Sequence, residues 1–169
     1  SAIDELAHQI LRAAALNDMD RGSTVNVGLV EGGTALNVVA ASASADIDVR
    51  VWTRSEADRI ESAILDATPV NPDTRLLVNG LMKRPPMERI EATAALFARA
   101  RAVGQQLGLD LEEGSTGGGS DGNFSAALGV ATLDGLGVPG AGAHADNEHI
   151  LVDALPERAA LLALLLLEL

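Results

Sequence analysis

Ile3, Leu6, Ala7, Ile10, Leu11 and Ala14 fall on one stripe at helical spacing, which predicts a helix over residues 2–16. His8 lies beside that stripe and reads as a partly exposed helix histidine. The stretch NDMDRGS that follows is turn chemistry. From Thr24 the period changes to two: TVNVGLVEGG sets Val25, Val27 and Leu29 inward and stops at Gly32-Gly33. LNVVAASASADIDVRVW resumes as strand through Ala43, Ala45, Ile47, Val49 and Val51, so the two segments predict a hairpin. SEADRIESAILDAT opens a second helix, with Ser55 as the expected N-cap and a stripe through Ala57, Ile60, Ile64 and Leu65. TRLLVNGL reads as a further strand.

The order helix–strand–strand–helix–strand over residues 1–82 matches a ferredoxin-like two-layer α+β unit that lacks its first strand, the complete unit being β-α-β-β-α-β. MKRPPMERIE breaks the pattern with two prolines, and RIEATAALFARARAVGQQLGL then predicts a long helix. EEGSTGGGSDGNFSAALG, VATLDGLGVPGAGAHADNEHI and a closing helix ALPERAALLALLLLEL follow. Residues 83–169 therefore read as α/β material, small for a complete three-layer domain. The fold class expected is α/β (α+β) in two parts, 1–82 and 83–169, with no internal repeat.

Composition narrows the function. With 47% hydrophobic residues the chain of 169 buries a core, but aromatics are 2%, so that core is aliphatic and base stacking is not expected. A net charge of −12 repels phosphate backbones, which argues against nucleic acid as partner. No cysteine is present, excluding disulfides and thiolate chemistry. The longest apolar run, ALLALLLLEL, is short of the roughly 20 residues a bilayer requires, so no membrane partner is expected. Cytoplasm is the expected compartment, with periplasm the alternative.

Candidate chemistry gathers in four places. GAGAHADNEHI offers His144, Asp146, Glu148 and His149 as metal donors; on spacing alone His144 is either a ligand or a loop histidine. The run Gly117-Gly118-Gly119 is either a flexible linker or a loop whose N–H groups cradle an anion, with Ser120, Asp121 and Asn123 ahead of a helix start. Arg50 ends an otherwise apolar strand. Arg84, held by Pro85-Pro86, suits a bidentate carboxylate clamp.

Taken in order, GGTALNVVAASASADIDVR, KRPPME, TGGGSDGN and GAGAHADNEHI resemble the M20 family of zinc metallopeptidases, nearest its glutamate carboxypeptidase branch and close to the desuccinylases and N-acyl amino acid deacylases. The resemblance implies a catalytic α/β domain with two zinc ions and an inserted ferredoxin-like lid that dimerises. It implies that His144 is a zinc ligand and that Asn37 polarises the scissile carbonyl or holds the substrate carboxylate. It makes Arg84 the lid arginine that binds the terminal carboxylate, and Arg50 a supporting residue. By the same resemblance Gly117, Gly118, Gly119 and Ser120 line the substrate pocket, braced by Asp121. Val38-Val39-Ala40 stands here where the family often has Ile-Ile-Pro.

The family's H-x-D motif, bridging Asp and Glu-Glu pair precede the lid, and no such motifs stand there in this chain; Glu112-Glu113 lies downstream of it. The chain is accordingly expected to be most of the lid plus the returning end of the catalytic domain. It would supply at most one zinc ligand and be inactive by itself. The parent's partners would be an N-acyl amino acid or peptide with a free, glutamate-like C-terminus, and a second copy met through the lid. The alternative is a non-catalytic dimerisation module derived from such an enzyme.

Overall fold

The predicted first helix closes as α1, Ala2–Ala14, in the computed structural model, which describes residues 1–80 and 82–168. Asp4 and Glu5 in its first turn and Arg12 in its last complement the helix dipole. Beyond the helix end, the Asn17 side chain donates to the Ala14 carbonyl at 2.9 Å. The same amide clasps Val25 on both sides, donating to its carbonyl at 3.0 Å and accepting its N–H at 2.9 Å. One side chain thus does for that residue what a neighbouring strand would do.

β1, Thr24–Gly32, and β2, Ala43–Arg50, form a two-stranded antiparallel sheet running from Thr24 opposite Arg50 to Gly32 opposite Ala43. Val25 opposes Val49 and Val27 opposes Ile47, yet Leu29 opposes Asp46, so Gly28 is an extra residue that bulges. Opposed residues share a face. After the bulge it is Val30 and Gly32, not Leu29, that continue the face of Val25 and Val27. Leu29, expected inward, is 65% exposed. Gly32 on that face lies beneath Ile3 of α1: a Cβ there would stand 3.0 Å from Ile3 Cγ1 and 2.9 Å from Ala43 Cβ.

α2 spans Arg54–Leu65, and its N-cap is Thr53 rather than the expected Ser55. Thr53 has the extended backbone a cap requires, and its Oγ1 accepts the Glu56 N–H at 3.3 Å, while Ser55 already lies in the first turn. Ala57 and Ile60 face inward and are buried; Leu65, expected on the same stripe, is exposed. Ala13, Val25 and Ile60 form the core of this unit, with Leu16, Val27, Val51 and Ile64 packed around them. The strand expected over residues 74–81 does not form within 74–80, and Leu81 lies outside the described residues. A strand exists only in a ladder, and among the described residues of this unit the ladder ends with β1 and β2.

The described residues fall into two compact units: Ser1–Glu88 with Gly117–Gly119, and Arg89–Thr116 with Ser120–Leu169. In the second, α3 (Glu91–Gln106) packs on α5 (Leu155–Glu168), close to the helices expected; Leu169, in the predicted closing helix, lies outside the described residues. Ala100, Val103, Leu111, Leu161 and Leu165 form its core. Gly104 is needed there, because a Cβ would sit 3.0 Å from two carbons of Leu111. α4 (Gly122–Ala127) follows the glycine run. β3 (Gly140–Ala141) and β4 (His149–Ile150) make a minimal antiparallel pair. The whole is a mixed α/β chain with small antiparallel sheets.

Candidate substrate-orienting site

Arg50 is the last residue of β2, exposed, with its Nε 3.0 Å from Asp48 Oδ2 two positions back on the same face. Gly117–Gly119 belong to the same unit, and a Cβ built on Gly117 would stand 3.6 Å from Arg50 Cδ, ordinary van der Waals contact. Two residues singled out from sequence are therefore neighbours.

Asn37 is exposed in the loop between β1 and β2. That loop closes with a turn in which Val38 N–H donates to Ala35 O at 3.1 Å. Its return is pinned at Ala40, which is buried and whose carbonyl accepts the Ala2 N–H at 2.9 Å. Ala40 holds the position where the related pattern often has proline, and a backbone hydrogen bond from α1 fixes the turn. Arg84 is exposed in the Pro85-Pro86 segment, and the segment is fastened at Glu88, whose carboxylate accepts the Arg54 N–H at the start of α2.

Ser120 and His144 lie in the second unit. Ser120 N–H donates to Asn123 Oδ1 at 2.8 Å, and Ser120 Oγ accepts the Gly122 N–H at 3.1 Å, closing the entry to α4. His144 stands exposed in the β3–β4 connection with φ 66, a left-handed backbone, and its N–H donates to Glu148 Oε2 at 3.2 Å. Its letters with Ala145 and Asp146 spell H-x-D, but after the lid rather than before it. Among the described residues no group of three or more His, Asp or Glu side chains converges as a metal site would need. His144 is a single imidazole, so the described residues do not by themselves fit a zinc ion.

Two carboxylates that the sequence reading passed over hold the first unit together. Glu5 is buried and accepts Val70 N–H at 3.0 Å, Asn71 N–H at 2.8 Å and Gln9 Nε2 at 2.6 Å. Those donors, the Asn71 amide foremost, hold its pKa down to about 2. Glu56 is buried between α2 and the turn before β1, accepting Ser23 Oγ at 2.7 Å and Arg59 Nη2 at 2.7 Å, with Arg21 Nη1 at 3.1 Å. Arg59 first, then Ser23, lowers its pKa to about 2. The Thr53-x-x-Glu56 spacing was the available signal for Glu56; Glu5 carried none.

Two open concavities lie in the second unit, of about 300 Å³ beside Phe97 and Arg101 and about 460 Å³ beside Ile150 and Glu157. Neither is lined by any of the candidate site residues, although the first includes the Glu112-Glu113 pair. No described helix is long and apolar enough to cross a membrane.

The sequence profile of the peptidase dimerisation domain of the M20 family matches residues 1–69. Carboxypeptidase G2 of Pseudomonas sp. (strain RS-16) is 28% identical over 174 residues, spanning 100% of this chain and 42% of its own length. Succinyl-diaminopimelate desuccinylase of Ralstonia nicotianae is 32% identical over 156 residues, 86% of this chain and 39% of its own. The corresponding desuccinylase of Dechloromonas aromatica is 29% identical over 152 residues, 86% of this chain and 38% of its own. Residues 1–69 thus match the dimerisation domain of the M20 peptidases, and the chain spans about two-fifths of the length of these curated relatives.

Proposed function

We propose that this chain is the pairing and substrate-orienting part of a zinc-dependent amidohydrolase or carboxypeptidase. The substrate is an N-acyl amino acid or short peptide with a free, glutamate-like C-terminal carboxylate. The observation that carries the reading is Gly117 lying against the aliphatic stem of Arg50, in the unit that also holds Asn37 and Arg84. Arg84 grips the carboxylate through its planar fork. Asn37 donates to the carbonyl as charge develops on its oxygen. Gly117, Gly118 and Gly119 shape the pocket wall, and Arg50 supports it. In the complete enzyme two zinc ions, when bound, would supply an activated water, and His144 is the residue of this chain that would serve as one of their ligands. Pairing is with a second copy, through the lid.

Zinc titration by calorimetry on the metal-free chain, with His144→Ala beside it, tests the reading. Weak or absent binding is expected, since a lone imidazole is far from the three or four protein ligands such sites use. Tight binding of one zinc per chain, lost in His144→Ala, would overturn the assignment of the remaining ligands to other residues. The competing reading, a dimerisation module without catalysis, is favoured by the profile match ending at residue 69. It requires that Arg84→Ala leave turnover of an N-acyl glutamate by the complete gene product unchanged.

A further inference from the structure

Asn79 and Gly80 are consecutive, both exposed, and lie outside the described helices and strands. Asparagine followed by glycine is the pair whose side-chain carboxamide and next backbone nitrogen react most readily with one another. Glycine has no Cβ to screen that nitrogen, and its wide φ/ψ range admits the bend that brings the nitrogen to the carboxamide carbon. The space at Gly80 is open: a Cβ built there would meet nothing within 4 Å. Among the described residues, nothing accepts the Gly80 N–H and nothing binds the Asn79 carboxamide.

The other asparagines lack what the reaction needs, a disengaged N–H on an unscreened following residue. Asn17 precedes Asp18, whose N–H donates to Ser23 O at 3.0 Å, and its own amide is held on Ala14 and Val25. Asn26 precedes Val27, β-branched and within the β1–β2 ladder. Asn37 precedes Val38, whose N–H donates to Ala35 O at 3.1 Å. Phe124 after Asn123 donates to Asp121 O at 3.1 Å, and Glu148 after Asn147 donates to Ala145 O at 3.0 Å. Asn71 precedes Pro72, which has no N–H, and its Oδ1 accepts the Asp73 N–H at 3.0 Å.

We propose that Asn79-Gly80 is a site of spontaneous covalent modification, where the chain converts its own asparagine to aspartate and isoaspartate. Hydroxide removes the Gly80 amide proton, and the nitrogen attacks Asn79 Cγ. The new N–Cγ bond forms, the Cγ–Nδ2 bond breaks, and ammonia leaves after taking a proton from water. Water then opens the cyclic imide at either carbonyl. One opening gives aspartate; the other routes the backbone through the side chain and gives isoaspartate. Either product adds a negative charge to a chain already at −12, and water is the only reagent consumed.

The experiment incubates the complete gene product, folded and in denaturant, and follows each asparagine-containing peptide by mass spectrometry with fragmentation that distinguishes isoaspartate. Asn79→Gln and Gly80→Ala are run beside it. The folded protein should convert at position 79 within about threefold of its rate in denaturant, as an open segment would. Conversion there should outrun that at every other asparagine and yield both products. The rate should rise by about threefold to tenfold per pH unit, because the attacking nitrogen must lose its proton. Gly80→Ala should slow it by about tenfold through its screening Cβ, and Asn79→Gln should remove the acidic form. Conversion in denaturant but not in the folded protein would overturn the proposal, since the fold then holds the pair apart. Aspartate alone, at a rate that Gly80→Ala leaves unchanged, would also overturn it, as direct hydrolysis without closure through Gly80. Faster conversion at another asparagine would overturn the selectivity drawn from the hydrogen bonds.

Discussion

Replacing Gly22 by alanine tests the packing of the first unit at its tightest point. Gly22 has φ +70 and lies in the turn before β1, where its N–H donates to Met19 O at 3.1 Å. A Cβ on it would fall 2.0 Å from Trp52 Cδ2 and 2.4 Å from Cγ, inside the indole ring's contact surface. The left-handed backbone costs an L-residue about 1–2 kcal/mol. Moving a rigid ring or the turn adds about 1–3 kcal/mol of overpacking. The sum, about 2–5 kcal/mol, corresponds to a fall in melting temperature of roughly 8 °C or more in a unit of this size. Gly33→Ala isolates the ring contribution, because Gly33 has φ +71 but a Cβ there would meet the flexible Cδ1 of Ile3 at 3.2 Å and Ala40 Cβ at an ordinary 3.9 Å. Trp52 is the sole tryptophan, so its emission reports the ring directly. Gly22→Ala should melt well below Gly33→Ala and red-shift the emission as the ring swings outward. Equal losses in the two variants, with emission unchanged, would refute the contact and leave backbone strain as the whole effect.

Acid should loosen the first unit in a defined window. The folded-state pKa values of Glu5 and Glu56 are lowered from 4.5 to about 2, so their stabilisation is complete above pH 4.5 and is lost as pH falls through 2. The denaturant midpoint, followed over that range, should drop in the parent and flatten in part in Glu56→Gln; a flat parent profile contradicts the network. Ile60→Ala, at a position 1% exposed, should cost about 2–5 kcal/mol by chemical denaturation, and a loss of a few tenths would mean the site collapses without a cavity. Asn17→Ala leaves both polar groups of Val25 without their partner and should cost about 1–3 kcal/mol, with exchange of the Val25 amide accelerated; protection equal to the parent's would rule out the clasp.

Period and turn chemistry made much of the architecture readable. The stripe from Ile3 to Ala14, the alternation through Ala43–Val49 and the glycine pair at 32–33 became a helix and a hairpin by local preference, although Ile3, Leu11, Ile47 and Val49 stay exposed and Glu5 and Ala13 are the residues α1 buries. What escaped was set by partners distant in the chain. A helix glutamate at position 5 reads as a solvated charge until residues 70 and 71 arrive with their amides. The strand expected at 74–80 has the right residues, but a strand is a relation between segments, and no described rung pairs with it. Among the site candidates, the ends of β2 and the glycine run are neighbours although nothing local announces it: Arg50 and Gly117 are joined by topology alone. The dimerisation profile covers residues 1–69, so the first unit was recognisable by its order of elements as well as by descent.

The bulge at Gly28 gives β1 one position more than β2 requires. Every rung from Leu29–Asp46 to Gly32–Ala43 is set on the far side of it, and those before it end at Val27–Ile47. Excising Gly28 would remove the unpaired residue and leave each rung with its present partner, the bare Gly32 still under Ile3 and the Asn37 loop still departing from the same end. Loss of any other single residue of β1 would have to be absorbed by the same spare position. Tolerance of the hairpin to changes in length therefore resides at one glycine, which makes it the natural place to cut, splice or lengthen this strand without disturbing what it carries.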